Sequence, residues 1–310
     1  MNPAWSVILL TTLLGVGQGL FLAVWGVEFA VSGGGVVPAG FYVAGSLLSL
    51  LFLAGGLVAS IFHLGHPERG WRAAAMWRTS WLSREVIVLP LFMALVFAYG
   101  SAHYYGCPAT VWLGAAGVAA CIALFVCTAM IYACLKFLQE WHTPLTLVNY
   151  FMLGCASGFT FATVLAVWTA PALVAALAEC AIAFTVAGFA SRMASLMRNA
   201  RLKARSSLQT AIGILHPQIQ QKSQGQMGGS FNTREFFHGK SLCWLRAVKW
   251  FFLAAAFALP VLLLAAGMAM ASISLLAAAF AVQFAGLLAE RWFFFAQARH
   301  PQNLYYQAIS

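Results

Sequence analysis

His63 and Glu85 are the residues of this chain best suited to exchange protons with a bound organic molecule. His63 closes one long apolar run and Glu85 opens the next, so two consecutive antiparallel helices would bring an imidazole and a carboxylate to the same depth. An imidazole titrates near neutral pH, and partial burial shifts a carboxylate upward toward it, which suits both groups to proton transfer. Reduction of a quinone takes two electrons and two protons. A histidine bonding one carbonyl oxygen, with a carboxylate feeding protons from the aqueous side, would supply the protein's share of that chemistry. The plainer reading of the same position is a helix-end histidine satisfied by backbone or water.

The elements that must position these groups are membrane spans. The chain is 62% hydrophobic and 8% charged, with a mean hydropathy of +0.85, well outside the composition of soluble domains. Runs of the ~20 apolar residues needed to cross a bilayer predict eight helices: 6–31, 41–64, 86–104, 110–135, 145–169, 172–190, 248–271 and 274–295. The expectation is therefore an all-α membrane protein, a single bundle of eight transmembrane helices over 1–310, with a long basic loop at 191–245 between helices six and seven. The first run has no basic residues before it and should remain in the mature protein.

An even number of spans puts both termini on one face, and all 17 Lys and Arg residues map to that face. The positive-inside rule makes it the cytoplasmic one, so the net charge of +10 reads as juxtamembrane loops and not as a nucleic-acid surface. Against that background, the interval 63–85 stands out with four arginines, two glutamates and two histidines. The first part of the 191–245 loop, with Arg198, Arg201, Lys203 and Arg205 among Leu196, Met197, Leu202 and Leu208, predicts a basic amphipathic continuation of helix six along the headgroup layer. Further on, Arg234, Glu235, Phe236 and Phe237 make a plausible docking surface for a partner subunit, with a disordered loop as the alternative.

The seven acids are all glutamates. Glu179 lies near mid-span in helix six, where a charged carboxylate is costly; it could assist proton movement, or sit protonated and hydrogen-bonded across helices. Glu28, near the opposite face, could snorkel. The histidines do not face one another inside the bundle as the axial ligands of a b-type haem would, so electrons must come from elsewhere. The seven cysteines form no Cys-x-x-Cys pair and read as small core residues. A proton-coupled transporter is the alternative of another class, although no internal repeat supports it.

His63-Leu64-Gly65 with Pro67 and Arg69, followed by Leu82-Ser83-x-Glu85 at the junction of spans two and three, resembles the membrane anchor subunits of DMSO reductase and its relatives. The stretches 232–239 and His300-Pro301-Gln302-Asn303 also look like a subgroup of that family. The resemblance implies a haem-free, quinone-binding anchor for an iron–sulfur electron-transfer subunit and a molybdopterin catalytic subunit. His63 and Glu85 become the quinone-site candidates, with Arg69 and Arg84 beside them, while Gly65, Pro67 and Arg69 would shape the loop and the contact with the partner. One departure matters. DMSO reductase anchors carry exported catalytic subunits, whereas the charges here put the motif face in the cytoplasm. That inversion resembles the anchors of quinone-dependent sulfite dehydrogenases of the bacterial inner membrane, with a DMSO or polysulfide reductase anchor oxidising quinol as the alternative.

Overall fold

The computed structural model describes residues 1–31, 37–62, 64–203, 205–220 and 238–301. Its long helices are α1 (Trp5–Val31), α2 (Ala39–Ile61), α3 (Trp81–Tyr105), α4 (Thr110–Ala133), α5 (Pro144–Thr169) and α6 (Val174–Ala200). A short α7 (Leu208–Ile212) follows, then α8 (Leu242–Ala269) and α9 (Ile273–Ala296). Eight of these are long and apolar enough to cross a membrane, which agrees with the eight expected. Large apolar side chains such as Leu47, Phe97, Trp112, Trp168 and Leu262 point outward, as a surface bathed in lipid allows.

α1 is the central helix and packs against α2, α4, α5 and α9. It comes closest to α5, where small residues on both helices let the backbones touch. A Cβ built on Gly158 would lie 2.0 Å from the Gly19 carbonyl carbon, and one on Gly19 would lie 2.0 Å from the Gly154 oxygen. Without a hydrophobic driving force between helices in lipid, close backbone approach and interhelical hydrogen bonds carry association. Both occur here: the Gln18 amide donates to the Cys121 carbonyl at 3.2 Å, and Ser49 donates to the Gly17 carbonyl at 2.7 Å. Phe21 packs edge-on against Phe92 and Tyr99 in the same core.

Helix ends follow local chemistry. Ser80 caps α3 by accepting from the Ser83 N–H, and Gly106, at φ 67°, ends it in the left-handed region. Thr143 caps α5 with Pro144 in its first turn. α8 widens into a π-helical turn at Ala254–Ala258. Pro260, two residues on, has no N–H to give the Ala256 carbonyl, and the Gln283 side chain of α9 donates to that oxygen instead, at 3.5 Å.

Three expectations need correction. Helix six does not stop at 190, since α6 runs on to Ala200, and α8 begins at Leu242, so the connection is shorter than 191–245. The continuation of α6 is not a headgroup helix either. Arg192 is buried, Ser191 and Ser195 hydrogen-bond Asn149 of α5, and Arg198 donates to the carbonyls of Gln139 and His142 in the α4–α5 turn. The cysteines divide differently from the expectation of core residues: Cys121, Cys127 and Cys155 are buried, while Cys107, Cys134, Cys180 and Cys243 are exposed.

Candidate functional site

Glu85 sits one turn into α3 because the Ser80 cap fixes where that helix begins. Its side chain points into the bundle toward α4, only 6% of the residue is exposed, and the Thr128 hydroxyl donates to its carboxylate. Thr128 and Tyr132 lie on one face of α4. Beyond Tyr132 is an aromatic box: its ring stacks 5.8 Å from Tyr150 of α5 and lies edge-on to Trp141, Phe294 and Phe295. The Trp141 indole stacks on Phe294 and donates to its carbonyl at 2.9 Å. The Arg291 guanidinium covers the outer face of Tyr150 at 3.8 Å, a cation–π contact.

Behind this box lies a group that sequence reasoning missed. Glu290 of α9 sits between two arginines, with Oε1 2.7 Å from Arg192 Nε and Oε2 3.4 Å from Arg291 Nη1. In sequence Arg192 is the first charge of the 191–245 segment and Glu290 is one glutamate among seven. The one available signal was an adjacent acid and base, Glu290-Arg291, written inside the last apolar run.

The other expected residues fall as follows. His63 and 234–237 (Arg234, Glu235, Phe236, Phe237) lie outside the described residues. Arg84 turns away from Glu85: Nε donates to the Trp77 carbonyl at 2.9 Å, an Nη donates to that of Arg78 at 2.8 Å, and the guanidinium covers the Trp81 ring at 4.2 Å. It therefore holds the start of α3 to the connecting loop. Arg69 is exposed on the 3₁₀ segment Pro67–Met76, 3.8 Å from Glu68. Along that segment Trp71, 72% exposed, and Trp77 stand in the open beside Arg72 and Arg78, so the loop presents arginine and tryptophan outward. Glu179 does not pair across helices in the interior. It faces outward from α6.

At the opposite end of the bundle, Glu28 does not snorkel. It accepts from the Tyr99 hydroxyl at 2.8 Å and lies 3.4 Å from His103, whose ring stacks on Tyr42. Beside this group a cleft of about 220 Å³ opens between α2 and α3, lined by Ser46, Leu50, Val96, Gly100 and Tyr104 among others. It does not reach Glu85.

The fold and this site define a class: a multi-pass helical membrane protein with buried polar groups gathered at the charged end of the bundle. The family model of the DMSO reductase anchor subunit (DmsC) matches residues 1–306, and the chain belongs to that family. It is also 55% identical, across the whole length of both chains, to a sulfite dehydrogenase subunit of Allochromatium vinosum.

Proposed function

We propose that this chain is the quinone-binding membrane anchor of a sulfite dehydrogenase complex in the bacterial inner membrane. Electrons taken from sulfite at a molybdopterin subunit would pass through an iron–sulfur subunit to membrane quinone, ubiquinone or menaquinone, held at the charged end of the bundle. Glu85 carries this reading. It is a buried carboxylate that, among the described residues, makes no ion pair and accepts from the Thr128 hydroxyl, unlike the ion-paired Glu28 and Glu290. His63, placed by the sequence just after the end of α2, is the partner proposed for the second quinone oxygen. Quinone supplies the two-electron, two-proton acceptor, and this chain's residues bind it, orient it and move protons.

Arg69 and Arg84 act on the site through the loop that joins α2 to α3. Arg84 closes that loop onto α3, and the exposed Trp71, Trp77, Arg72 and Arg78 are offered to the iron–sulfur partner, with Arg234, Glu235, Phe236 and Phe237 adding to the same docking face. Glu179, exposed on α6, has no place in this route. The Met1 ammonium donates to the Ala298 carbonyl at 2.8 Å, which holds the first and last spans together at the charged face that we assign to the cytoplasm.

Two measurements test the reading. Coexpression with the partner genes should yield a complex in which sulfite reduces a quinone analogue, with activity lost when either partner is omitted; a chain that moves a solute without partners would be a transporter instead. Reporters fused after residue 301 should be active in the cytoplasm. An exported C-terminus would turn the site outward and favour the DMSO or polysulfide reductase reading.

A further inference from the structure

α2 and α3 run antiparallel, and in the half of the bundle away from the charged end small residues let them approach. A Cβ built on Gly100 would lie 2.7 Å from the Ser46 Cβ and 3.2 Å from its Oγ. Ser46 and Gly100 form the floor of the cleft of about 220 Å³ between these helices, and Leu47 and Phe97, 57% and 65% exposed, stand at its rim. The rim belongs to the lipid-facing surface, so whatever fills the cleft comes from the bilayer. Val43, Leu50 and Val96 make its walls apolar. One group does not match them. Ser46 is 2% exposed and its Oγ has no hydrogen-bond partner among the described residues, a costly state where no water replaces the missing bond. A hydroxyl at the foot of an apolar cleft suits a chain-bearing molecule with an acceptor oxygen.

The outer end of the cleft is aromatic. Tyr104 and Tyr105, both exposed, close α3 with their rings 5.1 Å apart and at 87° to each other, and both line the cleft. Tyrosines at the end of a span belong to the interfacial layer where headgroups lie, and two ring faces set at right angles attract an ammonium group. The charge distribution favours the same headgroup. The connections at this end, 32–38, 106–109, 170–173 and 270–272, contain no Lys or Arg, so an anionic headgroup would find no such cation there, and His103 is held by Glu28. From Gly100 to Tyr104 and Tyr105 is about 6–8 Å along the helix, close to the reach of a glycerophospholipid from an ester carbonyl to its headgroup nitrogen. A quinone ring could satisfy Ser46 but brings no cation to the tyrosines.

We infer that the cleft between α2 and α3 is a binding site for one ethanolamine-type phospholipid, with an acyl chain along Val43, Leu50 and Val96, an ester carbonyl accepting from Ser46 Oγ, and the ammonium against Tyr104 and Tyr105. The site lies in the leaflet away from the charged end and does not depend on the quinone reading. Its effect is structural: the lipid fills the gap between two helices that touch closely only where Ser46 meets Gly100.

The test is native mass spectrometry of the full-length protein, purified in detergent and offered an equimolar mixture of phosphatidylethanolamine and phosphatidylglycerol with matched acyl chains. One phosphatidylethanolamine per chain should stay bound, preferred over phosphatidylglycerol by about fivefold, the size expected of a cation–π contact at an exposed site. Ser46→Ala removes the donor without adding bulk and should weaken retention of both lipids by about two- to tenfold, the share of one hydrogen bond. Tyr104→Leu combined with Tyr105→Leu keeps the apolar surface and should abolish the headgroup preference. Trp112→Leu, which alters an exposed aromatic at the same end but outside the cleft, should change neither and controls for a general loss of interfacial anchoring. If the tyrosine variant does not accumulate, Ser46→Ala compared with Trp112→Leu still decides. Equal retention of the two lipids by the native protein, or native retention in Ser46→Ala, overturns the inference. So does a ubiquinone analogue that displaces the bound lipid mole for mole, which would make the cleft a quinone site.

Discussion

Glu85→Gln is expected to lower sulfite-driven quinone reduction by about a hundredfold or more, the usual share of a positioned acid–base group, while the complex still assembles. The exchange is nearly isosteric. The Thr128 hydroxyl that donates to the carboxylate can donate equally to the amide oxygen, so the contact between α3 and α4 survives and only the exchangeable proton is lost. Quinone should still bind, and electrons should still reach the last iron–sulfur centre of the partner and accumulate there. The measurement is the rate of quinol formation by the purified complex, with copurification of all subunits as the control. A native rate in the variant would remove Glu85 from the mechanism and leave the buried carboxylate as an interhelical hydrogen bond to Thr128.

Gly158→Val should abolish the folded protein. A side chain at this position would drive its Cβ into the backbone of α1, 2.0 Å from the Gly19 carbonyl carbon and 2.1 Å from the Leu20 nitrogen. No side-chain rotamer relieves a clash with backbone, so the cost exceeds the ~1–3 kcal/mol typical of an overpacked core. α1 and α5 would have to separate at the centre of the bundle, taking with them the Gln18 bond to Cys121. The check is fluorescence-detected gel filtration of the detergent-solubilised protein, where the monodisperse peak should be lost. Gly26→Ala is the matched control. A Cβ there meets nothing within 4 Å, and replacing a helical glycine should be neutral or stabilise by about 0.5–1 kcal/mol. Equal behaviour of the two variants would mean that the glycine contact between α1 and α5 does not hold the bundle together.

The sequence alone determined the membrane class, the number of spans and the one-sided distribution of charge. Each of these is a property of uninterrupted stretches: ~20 apolar residues cover a bilayer whatever their neighbours do, and loop charges sort by side without reference to packing. It also singled out Glu85, because a carboxylate at the head of an apolar run is conspicuous in one dimension. What it misjudged depended on the direction a side chain takes around a helix. Arg84 and Glu85 are adjacent in sequence, yet one turns out to bind the loop and the other turns in to Thr128. Glu179 and Glu290 both lie within apolar runs, yet one faces outward and the other is fully buried between two arginines. Only the tertiary structure could decide these cases. The triad joins residues almost a hundred positions apart, brought together because α6 and α9 both pack against α5 and α8, and linear spacing carries no record of which helix will stand opposite which.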